Sequence, residues 1–195
     1  MAGAVREDII FAMSARPKDR MTVEEYLVWS EAQEGRFELV NGVVYAQAAE
    51  RAAHAKIKLA AAIALADSIR AGGLPCHVLP DGMAIRIGAH TVFEPDALVY
   101  CGPELPPDAL SVENPMIVVE VVSPSTGRYD NTHKFIGYFA LQSVRHYLII
   151  DPEEQVVVHH ERGEDGVILS HILRSGVATL DPPGLTLPLV RLFGQ

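Results

Sequence analysis

The sequence predicts an α/β (α+β) domain in which a central mixed sheet is flanked by helices. Three observations carry this prediction. Short runs rich in β-branched and aromatic residues recur along the chain, separated by turn residues. Two helical patterns, near 51–71 and 129–141, are set among them. The run 116–122 is apolar on both faces, as expected for a strand in the middle of a covered sheet.

Residues 1–20 show no clear periodicity and read as a flexible arm or a short appended helix; residues 21–195 read as one domain. Thr22-Val23-Glu24-Glu25 has the form of a capping box and opens a helix to about Gln33. Phe37-Glu38-Leu39-Val40 and Val43-Val44-Tyr45 flank Asn41-Gly42, the strongest short hairpin signal, because a type I′ turn needs positive φ at both central positions. The alanine-rich stretch 51–71 places Ile57, Ala61, Ala64, Leu65 and Ser68 at helical spacing, and Gly72-Gly73 ends it. Strands are expected over 76–79, 83–87 and 92–100. A proline-punctuated loop precedes the apolar strand 116–122. Ser123-Pro124-Ser125-Thr126 breaks that strand and leads into a helix whose apolar stripe is Phe135, Tyr138 and Phe139. A buried strand at 146–150 turns at Asp151-Pro152 into a hairpin partner at 155–160. Residues 167–173 and a C-terminal segment are expected to finish the sheet.

A hydrophobic content of 49% over 195 residues is enough for a sizeable core. The longest apolar candidate, 57–69, carries Lys58 and Asp67, so no membrane span is expected, and the polar N-terminus lacks the core of a signal peptide. A soluble cytoplasmic protein with no membrane partner is the expectation. Cys76 and Cys101 cannot make a disulfide framework and match no zinc spacing, so both are expected as buried thiols. A net charge of −9 argues against coating nucleic acid through the global field, although it leaves room for a local basic groove.

Glu120 is the anomaly of the apolar strand. It shares a face with Val118 and Val122, where an ionised carboxylate costs several kcal/mol, on the order of the buried-ion penalty, unless a cation or donors meet it. A buried ion pair is the competing reading. Asp96 follows Pro95 at a strand entrance, where a bulge could aim it into a site and where a plain turn residue would also be at home. Lys134 lies on the next helix with Asp130 four residues before it and Tyr138 four after, all on one face; a solvated Asp–Lys pair is the alternative. Glu38, between Phe37 and Leu39, and His54, near the start of the long helix, are weaker candidates. His159, His160 and His171 alternate with apolar residues and are expected to face solvent.

Two carboxylates on neighbouring strands supply hard oxygen ligands suited to magnesium or manganese. Such an ion can bind a phosphodiester oxygen and lower the pKa of a bound water, while a nearby lysine meets the developing charge or orients the water.

Pro95-Asp96, then Val118-Val119-Glu120-Val121-Val122-Ser123-Pro124-Ser125-Thr126, then Asp130, Lys134 and Tyr138 resemble the restriction-endonuclease family labelled Uma-two. The hairpin from Phe37 to Tyr45, His54 downstream, and Tyr147-Leu148-Ile149-Ile150-Asp151-Pro152 resemble further parts of it, so the resemblance spans roughly 21–192. It implies a PD-(D/E)xK nuclease-like fold, with Asp96 and Glu120 as the metal-binding acids and Glu38 as an additional acid of the site. Where the general pattern has lysine, two residues after Glu120, this chain has Val122. In this family the lysine lies on the following helix, which makes it Lys134. His54 carries over more weakly. The expected activity is Mg2+- or Mn2+-dependent hydrolysis of DNA. The alternatives are a non-cleaving nucleic-acid-binding or regulatory protein on the same fold, and a hydrolase of another phosphoester. Nucleases that cut both strands often dimerise, so a homo-oligomer is an open expectation, although the sequence marks no dimer surface.

Overall fold

A computed structural model describes residues 20–47, 49–122 and 128–194, apart from the side chains of 128–131. The expected N-terminal arm (1–19), the Ser123–Thr126 break and the Asp130 side chain lie outside the described residues.

Helix α1 (Val23–Glu31) starts at the Thr22–Glu25 capping box, with both reciprocal bonds made. Strands β1 (Phe37–Val40) and β2 (Val43–Ala46) form the hairpin, and Asn41 and Gly42 take φ of 51° and 79°. A side chain on Gly42 would also collide with Arg20 Cβ at 2.6 Å. Helix α2 (Ala52–Gly72) ends on Gly73 in the left-handed conformation. Next come β3 (Cys76–Pro80), β4 (Ala84–Gly88), β5 (Thr91–Phe93), β6 (Ala97–Cys101), β7 (Ser111–Val112) and β8 (Pro115–Val121). Helix α3 (Arg128–Ala140) precedes β9 (His146–Asp151), β10 (Val156–Arg162) and β11 (Ile168–Leu173). The chain closes with β12 (Val177–Leu180), β13 (Leu185–Pro188) and the short α4 (Val190–Phe193).

The strands form two main sheets. One has the order β2-β1-β5-β4-β7. The other, β11-β10-β9-β8-β6-β3, is antiparallel except for the parallel β8–β9 pair. Strand β8 is internal to the second sheet, which explains its two apolar faces. Ile117, Val119 and Val121 pack with Ala61, Ala64 and Leu65 of α2, while Val118 packs with Tyr138 and Phe139 of α3. Each fully buried large apolar side chain contributes about 1.5–3 kcal/mol, so the two helices are held to opposite faces of one sheet. Arg162 of β10 pins the end of α3 by donating to the carbonyls of Phe139 (2.6 Å), in the last turn, and Leu141 (3.0 Å), just beyond it. Gly137 lets α3 sit close to the first sheet, since a Cβ there would lie 2.6 Å from the Phe93 ring.

Four expectations are corrected. The stretch 92–100 is not one strand: it splits at Glu94-Pro95-Asp96 into β5, in one sheet, and β6, in the other. Proline cannot continue a ladder, and the chain changes sheets there. The C-terminal segment does not finish the large sheet; among the described residues β12 and β13 pair with each other alone and pack over α2. Cys76 and Cys101 are not free thiols but a disulfide, because the register of β3 and β6 sets them directly opposite each other. Of the three late histidines only His171 is exposed. His159 is buried beside His146, with ring nitrogens 2.9 Å apart, and His160 is half-buried against Phe135 and Tyr147. Burial pushes His159 down to about 4. No helix among the described residues is long and apolar enough to cross a membrane.

Candidate active site

The change of sheet at Pro95 creates the site. Asp96 leaves the first sheet, donates its N–H to the Val119 carbonyl (3.0 Å), and accepts the Val121 N–H on Oδ2 (2.6 Å). Its carboxylate is thereby fixed against the end of β8, next to Glu120. On the first sheet, Glu38 of β1 accepts the Glu94 N–H on Oε1 (3.1 Å), which ties the hairpin to the same crossing.

Helix α3 supplies the cation. The Lys134 ammonium lies 2.9 Å from Glu38 Oε1 and 3.0 Å from Glu120 Oε1, and one turn later the Tyr138 hydroxyl donates to the same Glu120 oxygen (2.7 Å). All four side chains are buried. Burial pushes the Glu120 carboxyl up to about 7 against the pull of Lys134, and the charges of Asp96 and Glu38 push the same way as burial. Burial and the Glu120 charge hold the Tyr138 phenol well above its ordinary range, so it remains a donor.

Helix α2 supplies a second group. His54 presents Nδ1 to Glu50 (2.5 Å) and Nε2 to the Val121 carbonyl, and Nε2 stands 3.8 Å from Asp96 Oδ2. One turn on, the buried Lys58 ammonium meets Asp96 Oδ1 (2.9 Å), Glu50 (2.8 Å) and Asp81. Burial works against the Lys58 charge, but Asp81, Glu50 and Asp96 together hold its pKa above the usual lysine value. At the rim, Arg36 pairs with Asp81 at 2.7 Å.

The structure thus brings together Asp96, Glu120, Lys134, Glu38, His54 and Tyr138. Lys58, Glu50 and Asp81 join the cluster without having been singled out in the sequence. Lys58 did carry a signal: it falls at i+4 from His54 and i−3 from Ala61, inside the buried stripe of α2. Glu50 and Asp81 lie in connections, where no periodicity marks them.

Among the described residues, and counted as ionised, the five carboxylates (Glu38, Glu50, Asp81, Asp96, Glu120) face the Lys58 and Lys134 ammonium groups and the Arg36 guanidinium, an excess of two negative charges in a partly buried space. Ligand atoms of Glu50, His54 and Asp96 lie within 4.8 Å of one another. This donor set, oxygens with one imidazole and an unbalanced negative charge, fits a divalent cation.

A mixed sheet covered by helices is the architecture of the restriction-endonuclease-like fold class. The fold agrees with a crystal structure from Anabaena variabilis ATCC 29413 described as a "putative nuclease belonging to DUF820", with a TM-score of 0.70 over 89% of this chain and 98% of that one at 14% identity. Residues 23–190 match the Uma-two family, described as "Putative restriction endonuclease", and the chain belongs to that family. An uncharacterized protein of Synechocystis sp. (strain ATCC 27184 / PCC 6803 / Kazusa), slr1290, is 27% identical over 151 residues, which is 77% of this chain and 78% of that protein.

Proposed function

We propose that this protein is a divalent-metal-dependent endonuclease that hydrolyses DNA phosphodiester bonds. The observation that carries the reading is the Lys134 ammonium bridging Glu38 and Glu120 beside an Asp96 locked to the end of the same strand. A structural ion pair needs one acid for one base; here the acids outnumber the bases, and the surplus suits a bound cation.

Asp96, Glu120 and the Val121 carbonyl would hold Mg2+ or Mn2+, with His54 Nε2 beside them. Nε2 faces the Val121 carbonyl and Glu50 holds the other ring nitrogen, so the ring is fixed at two points beside the site. When bound, the ion would supply charge stabilisation at the phosphate and acidify a water. The remaining roles belong to the chain. Lys134 faces the same carboxylate oxygen as Tyr138, so Glu120 is held in one orientation from two points on one helix. Lys134 also places a positive charge where the pentacovalent phosphate would need it. Glu38 fixes the lysine from the opposite sheet.

The test is cleavage and nicking of plasmid and linear DNA with Mg2+ or Mn2+. Wild type should cut and lose activity with EDTA, and Asp96→Asn and Glu120→Gln should each lose about 100-fold or more. Binding without cutting would favour the non-cleaving reading, and preferential turnover of small phosphoesters would favour the other hydrolase reading. Equal cleavage by wild type and both variants would refute the site.

A further inference from the structure

Lys58 is buried against the acids of the site, yet nothing in the reaction just described uses it. Its ammonium sits on three carboxylates, those of Asp96, Glu50 and Asp81. Three N–H donors therefore meet three acidic partners, and the residue is only 7% exposed. Asp96 is divided between two neighbourhoods. Oδ1 faces Lys58 at 2.9 Å, while Oδ2 faces the Val121 N–H and the His54 ring. A carboxylate that offers one oxygen to each of two adjacent positive centres is what bridges the ions of two-metal phosphodiesterases, which stand roughly 3.5–4 Å apart.

We propose that the Lys58 ammonium is a built-in second cation: it occupies, between Asp96, Glu50 and Asp81, the place a second divalent ion would take, so the site binds one metal ion and not two. This rests on the metal-dependent reading above and deepens it. The lysine is well suited to the part. It projects from α2, whose next turns are anchored by Ala61, Ala64 and Leu65 in the core, so its stem begins from a fixed point. The ammonium carries one charge where a metal ion would carry two, and it cannot be washed out. Lys58 is then a positioning residue: it holds Asp96 in the orientation that leaves Oδ2 for the metal side.

A plain structural ion pair would predict something different. Removing Lys58 would then cost stability and change nothing about metal binding. With the lysine as resident cation, its removal exposes three converging carboxylates, and these recruit a second ion.

The experiment is Mn2+ binding by the full-length chain, measured by titration calorimetry and by electron paramagnetic resonance, for wild type, Lys58→Ala and Lys58→Met. The expected result is one Mn2+ per wild-type chain and two per Lys58→Ala chain, with spin coupling between the two ions. Lys58→Met removes the charge but leaves the stem in the space, so it should take the second ion at least tenfold more weakly than Lys58→Ala. Each variant is also melted with and without Mn2+, and Lys58→Ala should gain more from the ion than wild type does, since ligands of the native state stabilise by mass action. Two ions in wild type, or one ion in a folded Lys58→Ala, would overturn the proposal and leave the nuclease reading intact. No ion in wild type would remove the metal-dependent reading and this one with it. Should neither variant fold, the wild-type count alone decides, with one ion supporting the proposal and two overturning it.

Discussion

Glu120→Gln should make the metal-free protein more stable at neutral pH while disabling it. The side chain is buried on a central strand, and its oxygen Oε1 accepts from Lys134 and Tyr138. Gln keeps that acceptor and the volume but removes the titration. The carboxyl has an ordinary value of 4.5 and ionises at about 7 in the folded chain, chiefly because of burial. Its folded value is raised. Its contribution to stability is therefore fully present below about pH 4.5 and is lost as the pH climbs through 7. At ~1.4 kcal/mol per tenfold, this amounts to ~3 kcal/mol. Buried His146 and His159 have lowered values and act in the opposite direction over the acid range, so the wild-type profile alone does not isolate the effect. The difference between variant and wild type does. In urea unfolding with EDTA, that difference should grow in the variant's favour by ~3 kcal/mol between pH 4.5 and 7.5, or about 6–12 °C in melting temperature for a chain of this size. Mn2+ should flatten the wild-type profile, because a cation favours the ionised carboxylate, and should leave the variant's unchanged. A difference that stays constant with pH would refute the assignment of a desolvated, titrating Glu120.

Two further outcomes follow from the same geometry. Lys134→Met removes the cation shared by Glu38 and Glu120, and single-turnover DNA cleavage should fall about 100- to 10,000-fold, beyond anything that loss of fold by circular dichroism explains. Gly137→Ala puts a methyl group 2.6 Å from the Phe93 ring and should cost about 1–3 kcal/mol by overpacking; chemical denaturation measures it, and Phe93→Leu in the same chain should recover most of the loss.

The parts of this protein legible in the sequence are those governed by near neighbours. The Asn41-Gly42 turn, the capping box at Thr22 and the end of α2 at Gly73 follow from dihedral requirements within a few residues, and all three appear in the structure. The alternation around Glu120 marks a strand covered on both faces because side-chain direction repeats every two residues, whatever lies above and below. The four-residue spacing of Lys134 and Tyr138 sets both on one helix face in the same way, and in the structure both reach Glu120.

Tertiary structure alone decided what meets across sequence distance. The register of β3 and β6 put Cys76 against Cys101, and a one-residue slip would have turned them to opposite faces. The antiparallel pairing of β9 with β10 brought His159 to His146, and His159 is buried there. Local pattern did mark Pro95 as a break, but pairing with different partners sent β5 and β6 into separate sheets and left Asp96 at the crossing. There it meets Lys58, 38 residues earlier on α2, together with Glu50 and Asp81 from connections that have no period of their own. The sequence by itself determined that a Glu120 charge had to be met by a cation or by hydrogen-bond donors, because desolvating a charge costs more than a strand can absorb. Which partners it found, and that Asp96 would divide its two oxygens between a lysine and a histidine, depended on long-range packing.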